Sequence, residues 1–238
     1  MRVDVVTLFP DIFAGFLATS FVARAIAGER LAVRLRSPRD FGLGKHRSVD
    51  DTPYGGGSGM VMRVDVIVAA IESLDADAPG GVRARRVLLT PQGRPFDQEK
   101  ASDLAHKDAI LLVCGRYEGF DERVRSHVDE EVSLGDFVMT GGEVAAMAVI
   151  DACARLLPGV LGNDASTIEE SHSPETGGLL EYPQYTRPVE FRGQRVPVVL
   201  QGGNHAAIAA WRREQAVART RDRRPDLLAR SRWAKEAP

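Results

Sequence analysis

A chain of 238 residues, 44% apolar and 27% charged, has the composition of an ordinary globular protein with room for one substantial domain and a smaller partner. No stretch approaches the roughly 20 apolar residues that span a bilayer, and Asp4 and Pro10 interrupt any signal-peptide core, so a cytoplasmic protein without a membrane segment is expected. The net charge of −2 is unevenly spread: Trp211–Lys235 holds nine Arg or Lys and three acids, a +6 segment on a −8 body, which fits a polyanionic partner or a solvated helical face equally well.

Arg2–Phe9 reads as a strand with β-branched Val3, Val5 and Val6, stopped by Pro10. Asp11 can cap a helix using Ile12, Phe13, Phe16 and Leu17, and Gly28 closes the helical region. Leu31–Arg36 alternates, with Leu31, Val33 and Leu35 on one face. Ser37–Gly59 carries loop signals, ending in Gly55-Gly56-Gly57-Ser58-Gly59, and a helix from about Arg63 to Leu74 follows. Arg86–Thr90 and Ala109–Cys114 are apolar strand candidates, separated by a helix over Asp97–Ala105. Val132–Leu134 and Phe137–Met139 are strand-like, and Glu143–Leu157 is an apolar helix closed by Pro158-Gly159. Strands alternating with helices predict an α/β fold with a mostly parallel sheet buried on both faces.

From Gly162 to Gly178 the composition turns polar and turn-rich, and Asn204 can cap a helix through Ile208, Trp211, Gln215 and Ala218. The expected organisation is a large domain at 1–161, a flexible linker at 162–178 and a small helical domain at 179–238. Cys114 and Cys153 each sit in an apolar run and are expected as buried, reduced thiols rather than a disulfide or metal ligands.

Three glycine-rich turns follow apolar segments: Leu89–Gly93, Cys114–Gly119 and Leu134–Glu143. Strand ends of open α/β sheets bind ligands, and glycine lets a backbone approach one closely, so three such turns favour a shared pocket over plain turn chemistry. The pocket is not a dinucleotide or P-loop site, because neither fingerprint is present. The five histidines are scattered without metal-ligand spacing, and no G-x-S-x-G elbow occurs.

Asp50–Met60, Leu89–Gly93, Cys114–Glu122, Leu134–Glu143, Pro158–Gly162, Tyr185–Pro188, Gly203–His205 and Arg223–Leu227 occur in this order. The set closely resembles the bacterial tRNA (guanine-N1)-methyltransferases of the SPOUT class, from Met1 to about Leu228. The resemblance implies a deep trefoil knot in the large domain, formed by the three glycine-rich loops. It implies an obligate homodimer, with tRNA and the pocket bridging both subunits, acting on tRNA with guanosine at position 37. It also implies S-adenosylmethionine held bent in the knot, largely by main-chain groups. The adenine and ribose contacts would fall on Leu89, Thr90, Pro91, Gly115, Tyr117 and Glu118. The remainder would fall on Ser133, Leu134, Gly135, Asp136, Phe137, Val138, Met139, Gly141 and Gly142. Mg2+ is expected from kinship alone.

Guanine N1 carries a proton and is a poor nucleophile until it leaves, so such a site needs a base near N1 and a cation or donor near O6. By resemblance these align with Glu170 and Arg155. The family usually has aspartate at the first position, so Glu169 stays an alternative base; read without the resemblance, both acids are solvated loop residues and Arg155 a cation near a helix C-terminus. RNA contacts are expected from the basic C-terminal segment and from Arg24, Lys45, His46 and Arg47. Tyr54 and Trp211 could stack on bases or pack in the core, and at Gln184 the family often has histidine.

Overall fold

The computed structural model describes residues 1–162 and 168–231. It divides into two compact units, Met1–Gly162 and Asn163–Pro238. The centre of the first is a five-stranded sheet: β1 (Arg2–Val6), β2 (Ala32–Arg36), β3 (Arg85–Pro95), β4 (Ala109–Cys114) and β5 (Glu130–Ser133). The order is β2-β1-β4-β3-β5, and every pairing is parallel.

Period-2 sorting of side chains explains why these strands read as unbroken apolar runs. In β4, Ile110, Leu112 and Cys114 enter one core, which is closed by Val22 and Ala25 of α1 (Ser20–Ala27), Leu104 of α3 (Gln98–Ala105), and Val149, Ile150 and Cys153 of α4 (Glu143–Ala154). Ala109, Leu111 and Val113 enter the other, against Val66, Ile67, Ala70, Ile71 and Leu74 of α2 (Val64–Ala76). A large apolar side chain moved from water into such a core contributes about 1.5–3 kcal/mol, so Val66, Ile67, Ile71 and Leu74 hold α2 to the sheet. The layered α/β architecture with a mostly parallel sheet is thus the one expected.

Several local expectations change. The N-terminal helical region begins with a 3-10 turn at Pro10–Phe13, because Pro10 supplies the fixed φ of a first turn, and breaks again before α1 at Ser20, whose φ is +56°. β3 runs past Pro91-Gln92-Gly93 instead of ending there. After Leu89 pairs with Val132 the chain bulges, then Arg94 and Pro95 pair again with Val132 and Ser133. Gly93 permits this, since a Cβ there would collide with the backbone of Val132. Phe137–Met139 is not a strand: the Phe137 N–H turns back to Gly135 O at 2.9 Å.

Asp4, fully buried in β1, accepts from Arg2 Nε at 3.1 Å and from Arg34 Nε and Nη2 at 2.6 and 2.8 Å. Arg34 also donates to Leu74 O and Asp77 O, so the polar spot in the alternating β2 joins two strands to the end of α2. Both cysteines are free and buried, as expected.

In the second unit, α5 (His205–Arg223) is capped by Asn204, which accepts the Ala207 N–H at 3.1 Å, and α6 (Pro225–Arg230) follows. Leu179, Ala216 and Leu228 form its small core. Buried Thr220 accepts the Leu180 N–H at 2.9 Å and donates to Ala216 O at 2.7 Å. Of the segment expected as a linker, 163–167 lie outside the described residues; 168–178 form turns around buried Ser173, whose Oγ donates to Ile168 O at 2.6 Å. The last residues of the basic segment, 232–238, also lie outside the described residues.

Candidate active site

Parallel register brings the bulge of β3 after Leu89 to the same edge of the sheet as the C-terminal ends of β4 and β5, since Leu89 is level with both Cys114 and Val132. The bulge and the turns leaving those two ends therefore converge. They enclose a cleft of about 300 Å³, at the lower end of the range of small-molecule sites. Its wall includes Leu89, Thr90 and Pro91 from the first turn, Gly115, Tyr117 and Glu118 from the second, and Ser133, Leu134, Gly135, Phe137, Val138, Met139, Gly141 and Gly142 from the third. Asp136, expected with them, is exposed and is not among the lining residues.

Close backbone contacts make this wall. The Gly142 N–H donates to Gly115 O at 3.0 Å, and a Cβ on Gly142 would lie 2.8 Å from Cys114 Cα. A Cβ on Gly115 would lie 2.8 Å from the Phe120 ring. Both glycines are required by lack of room rather than by backbone conformation. Tyr117, by contrast, holds a left-handed φ of +59° as a non-glycine residue, a conformation that clusters at binding sites. The Glu118 N–H donates to Met60 O at 3.0 Å, which sets the Gly55–Gly59 loop beside the second turn. Gly59, with a φ of +85°, packs against the Glu118 side chain where a Cβ would clash.

Charged groups that spacing alone did not single out also reach the cleft. Arg125 donates to Gln92 Oε1 at 2.6 Å and to Glu122 at 2.8 Å, and it pairs with Glu131. Arg116 donates through Nη1 to Thr140 O at 3.1 Å, and its guanidinium lies 4.6 Å over the Phe9 ring. Its Nη2 meets Glu143 Oε2 at 2.9 Å, and Glu143 is 1% exposed. The sequence signal for Glu143 was an acid in the first turn of an apolar helix, which ordinarily marks a solvated residue favouring the helix dipole. Burial pushes the Cys114 thiol, at the end of β4, well above its usual range, with Glu143 adding to the rise.

Arg155 is the C-cap of α4, in the first unit. Glu169 and Glu170 belong to the second. Glu169 Oε2 accepts from Tyr182 Oη at 2.9 Å and meets Arg212 Nη1 at 3.4 Å, with that guanidinium 4.6 Å over the Tyr182 ring. Burial, and then the bond to Glu169, raise the Tyr182 hydroxyl above its usual pKa. Glu170 is half-buried, and its main-chain oxygen accepts the Ser173 N–H at 3.2 Å.

Arg24, Lys45, His46 and Arg47 are all exposed, the last three at the tip of a loop closed by paired bonds between Leu43 and Ser48. Tyr54 is fully exposed, so the core reading fails for it, whereas Trp211 is half-buried with its ring 6.4 Å from that of Tyr185. Among the described residues no three His, Cys, Asp or Glu side chains are grouped to hold a metal ion. Nor is any single helix there long and apolar enough to cross a membrane.

Over residues 1–230 the chain matches the family described as tRNA (Guanine-1)-methyltransferase TrmD. It belongs to that family. Three relatives, each named tRNA (guanine-N(1)-)-methyltransferase, match nearly end to end. The protein of Sorangium cellulosum is 68% identical, covering 98% of this chain and 95% of its own length. That of Gloeobacter violaceus is 56% identical, covering 96% and 98%, and that of Geobacillus kaustophilus 49%, covering 96% and 91%. For a member of this SPOUT-class family, the cleft between the β3 bulge and the ends of β4 and β5 is the candidate active site.

Proposed function

We propose that this protein methylates N1 of guanosine-37 in tRNA, taking the methyl group from S-adenosylmethionine held in the cleft between the β3 bulge and the ends of β4 and β5. Family membership over residues 1–230 supports the tRNA (guanine-N1)-methyltransferase activity. The observation that carries the donor site is the convergence of the three glycine-rich turns on one cleft, with Gly115 and Gly142 letting the second and third turns close against each other. That is a cradle suited to a ligand gripped by backbone.

The sulfonium supplies an electrophilic methyl group, so no protein nucleophile is needed. What remains for the chain is to position guanine N1 in line, remove its proton and offset charge at O6. Good orientation alone is worth roughly 7–11 kcal/mol of barrier. Glu170 is the proposed base. Glu169, the alternative, has its Oε2 engaged by both Tyr182 and Arg212, which suits a tie within the second unit better than proton removal. Glu170 in place of the usual aspartate adds one methylene, which places its carboxylate farther from its own backbone. Arg155 is proposed to stabilise O6.

The assembly is read as a homodimer with its trefoil-knotted domain at 1–161, a linker at 162–178 and a tRNA-binding domain at 179–238, working in the cytoplasm. Exposed Phe137 and Val138 in the cleft wall, and Val144 beside buried Glu143, support self-association near the mouth. Mg2+ is suggested by kinship alone, since among the described residues no three His, Cys, Asp or Glu side chains are grouped to hold it.

Methyl transfer from labelled donor to unmodified tRNA carrying G37, beside the same tRNA with A37, tests the reading. Transfer to the G37 substrate alone is expected. Transfer to neither, or a methyl mapped to a ribose, would replace it with another SPOUT activity.

A further inference from the structure

Behind the cleft wall, an ion pair between lining residue Arg116 and buried Glu143 is left unused by the proposed chemistry. Glu143 is 1% exposed, yet it sits next to Gly141 and Gly142 of the wall. Its Oε1 accepts from buried Thr7 Oγ1 at 2.9 Å, and its Oε2 lies 2.9 Å from Nη2 of Arg116, itself a lining residue. The pair is not a well-formed fork, because Arg116 Nε and Glu143 Oε2 are buried without an aligned hydrogen bond. Burying the Glu143 charge is costly, and a bond this imperfect to a half-buried Arg116 does not mark a stabilising role. Its value is better sought in the field it leaves in the cleft.

We propose that Glu143 is a buried counter-charge that sets the cleft's preference for a cationic sulfonium donor over its neutral thioether product. This rests on the donor reading above. The substrate donor carries a positive sulfur; once the methyl has left, the same sulfur is uncharged. A guanidinium in the wall repels the first and is indifferent to the second. Glu143 cancels that repulsion, and the Arg116 bond to Thr140 O, with the stacking over Phe9, fixes where the cation points. Arg116 can then tie the second and third turns together without opposing the cofactor. The device also favours turnover, since spent donor must leave before a new one enters.

Titration calorimetry with S-adenosylmethionine and S-adenosylhomocysteine on the full-length protein tests this without reference to activity. Glu143→Gln keeps the Thr7 bond and the shape but leaves Arg116 uncompensated. Its affinity for the methionine form should fall about tenfold relative to the homocysteine form, the order of effect of one nearby uncompensated charge at an effective dielectric near 20. Arg116→Gln should move the ratio the opposite way, which keeps the test alive if Glu143→Gln does not fold. Glu143→Asp, and the double variant with both glutamines, should return it to near the wild-type value. Equal weakening of both ligands, or an unchanged ratio in both single variants, would reduce the pair to a structural tie and overturn the charge role. Wild-type protein that binds neither ligand would instead overturn the donor cleft itself.

Discussion

At the scale of single residues, the two proposed catalytic side chains make separable predictions. Glu170→Gln keeps the size of the side chain and removes its basicity, so single-turnover methyl transfer should fall about 10²–10⁴-fold while donor affinity holds. Arg155→Ala should slow the same step about 10²–10³-fold with little change in tRNA binding. An undiminished single-turnover rate in either variant removes that residue from the chemistry. The cysteines offer a different kind of check. Burial holds Cys114 well above its usual range and lifts Cys153 to about 12, so neither presents a thiolate at pH 8. Both should react with a thiol reagent only as fast as the protein opens; one fast-reacting equivalent would contradict their burial. Of this scale, the sequence revealed the glycines and the cysteines but not Glu143. An acid opening a helix looks the same whether it faces water or a guanidinium, and only the proximity of Arg116 and of Thr7, 136 positions away, distinguishes the two.

At the scale of elements, much was legible because local chemistry decided it. Ala109–Cys114 reads as a strand and is one, and Asn204 reads as a cap and accepts the Ala207 N–H. The misreadings share a cause. Pro91-Gln92-Gly93 is turn chemistry, yet β3 resumes after it because β5 offers a second register, and a partner strand is invisible in a local window. Arg34 illustrates the same limit: in an alternating strand it reads as the solvent-facing residue, while the structure spends its guanidinium on Asp4 and the end of α2. That triad predicts that Asp4→Ala, which strands the mostly buried Arg2 and Arg34, will destabilise the protein by about 3–5 kcal/mol in a urea titration. A loss below about 1 kcal/mol would mean the cations find water at no cost and the triad is not a structural joint.

At the scale of the whole molecule, the sheet order could not be read from the chain, but its consequence could. Parallel strands alternating with helices must place their C-terminal ends along one edge, so glycine-rich turns after Leu89, Cys114 and Ser133 had to meet somewhere on it. What spacing could not supply is which ligand fits there: the match over residues 1–230 implies a methyl donor, and S-adenosylmethionine is the proposal. The central claim is that these three turns together form the donor site. Hydrogen-exchange mass spectrometry of the full chain, with and without saturating S-adenosylmethionine, tests it most directly. Protection should appear together in Leu89–Gly93, Gly115–Glu118 and Leu134–Gly142. Protection centred elsewhere, or in one of the three turns alone, would contradict the account.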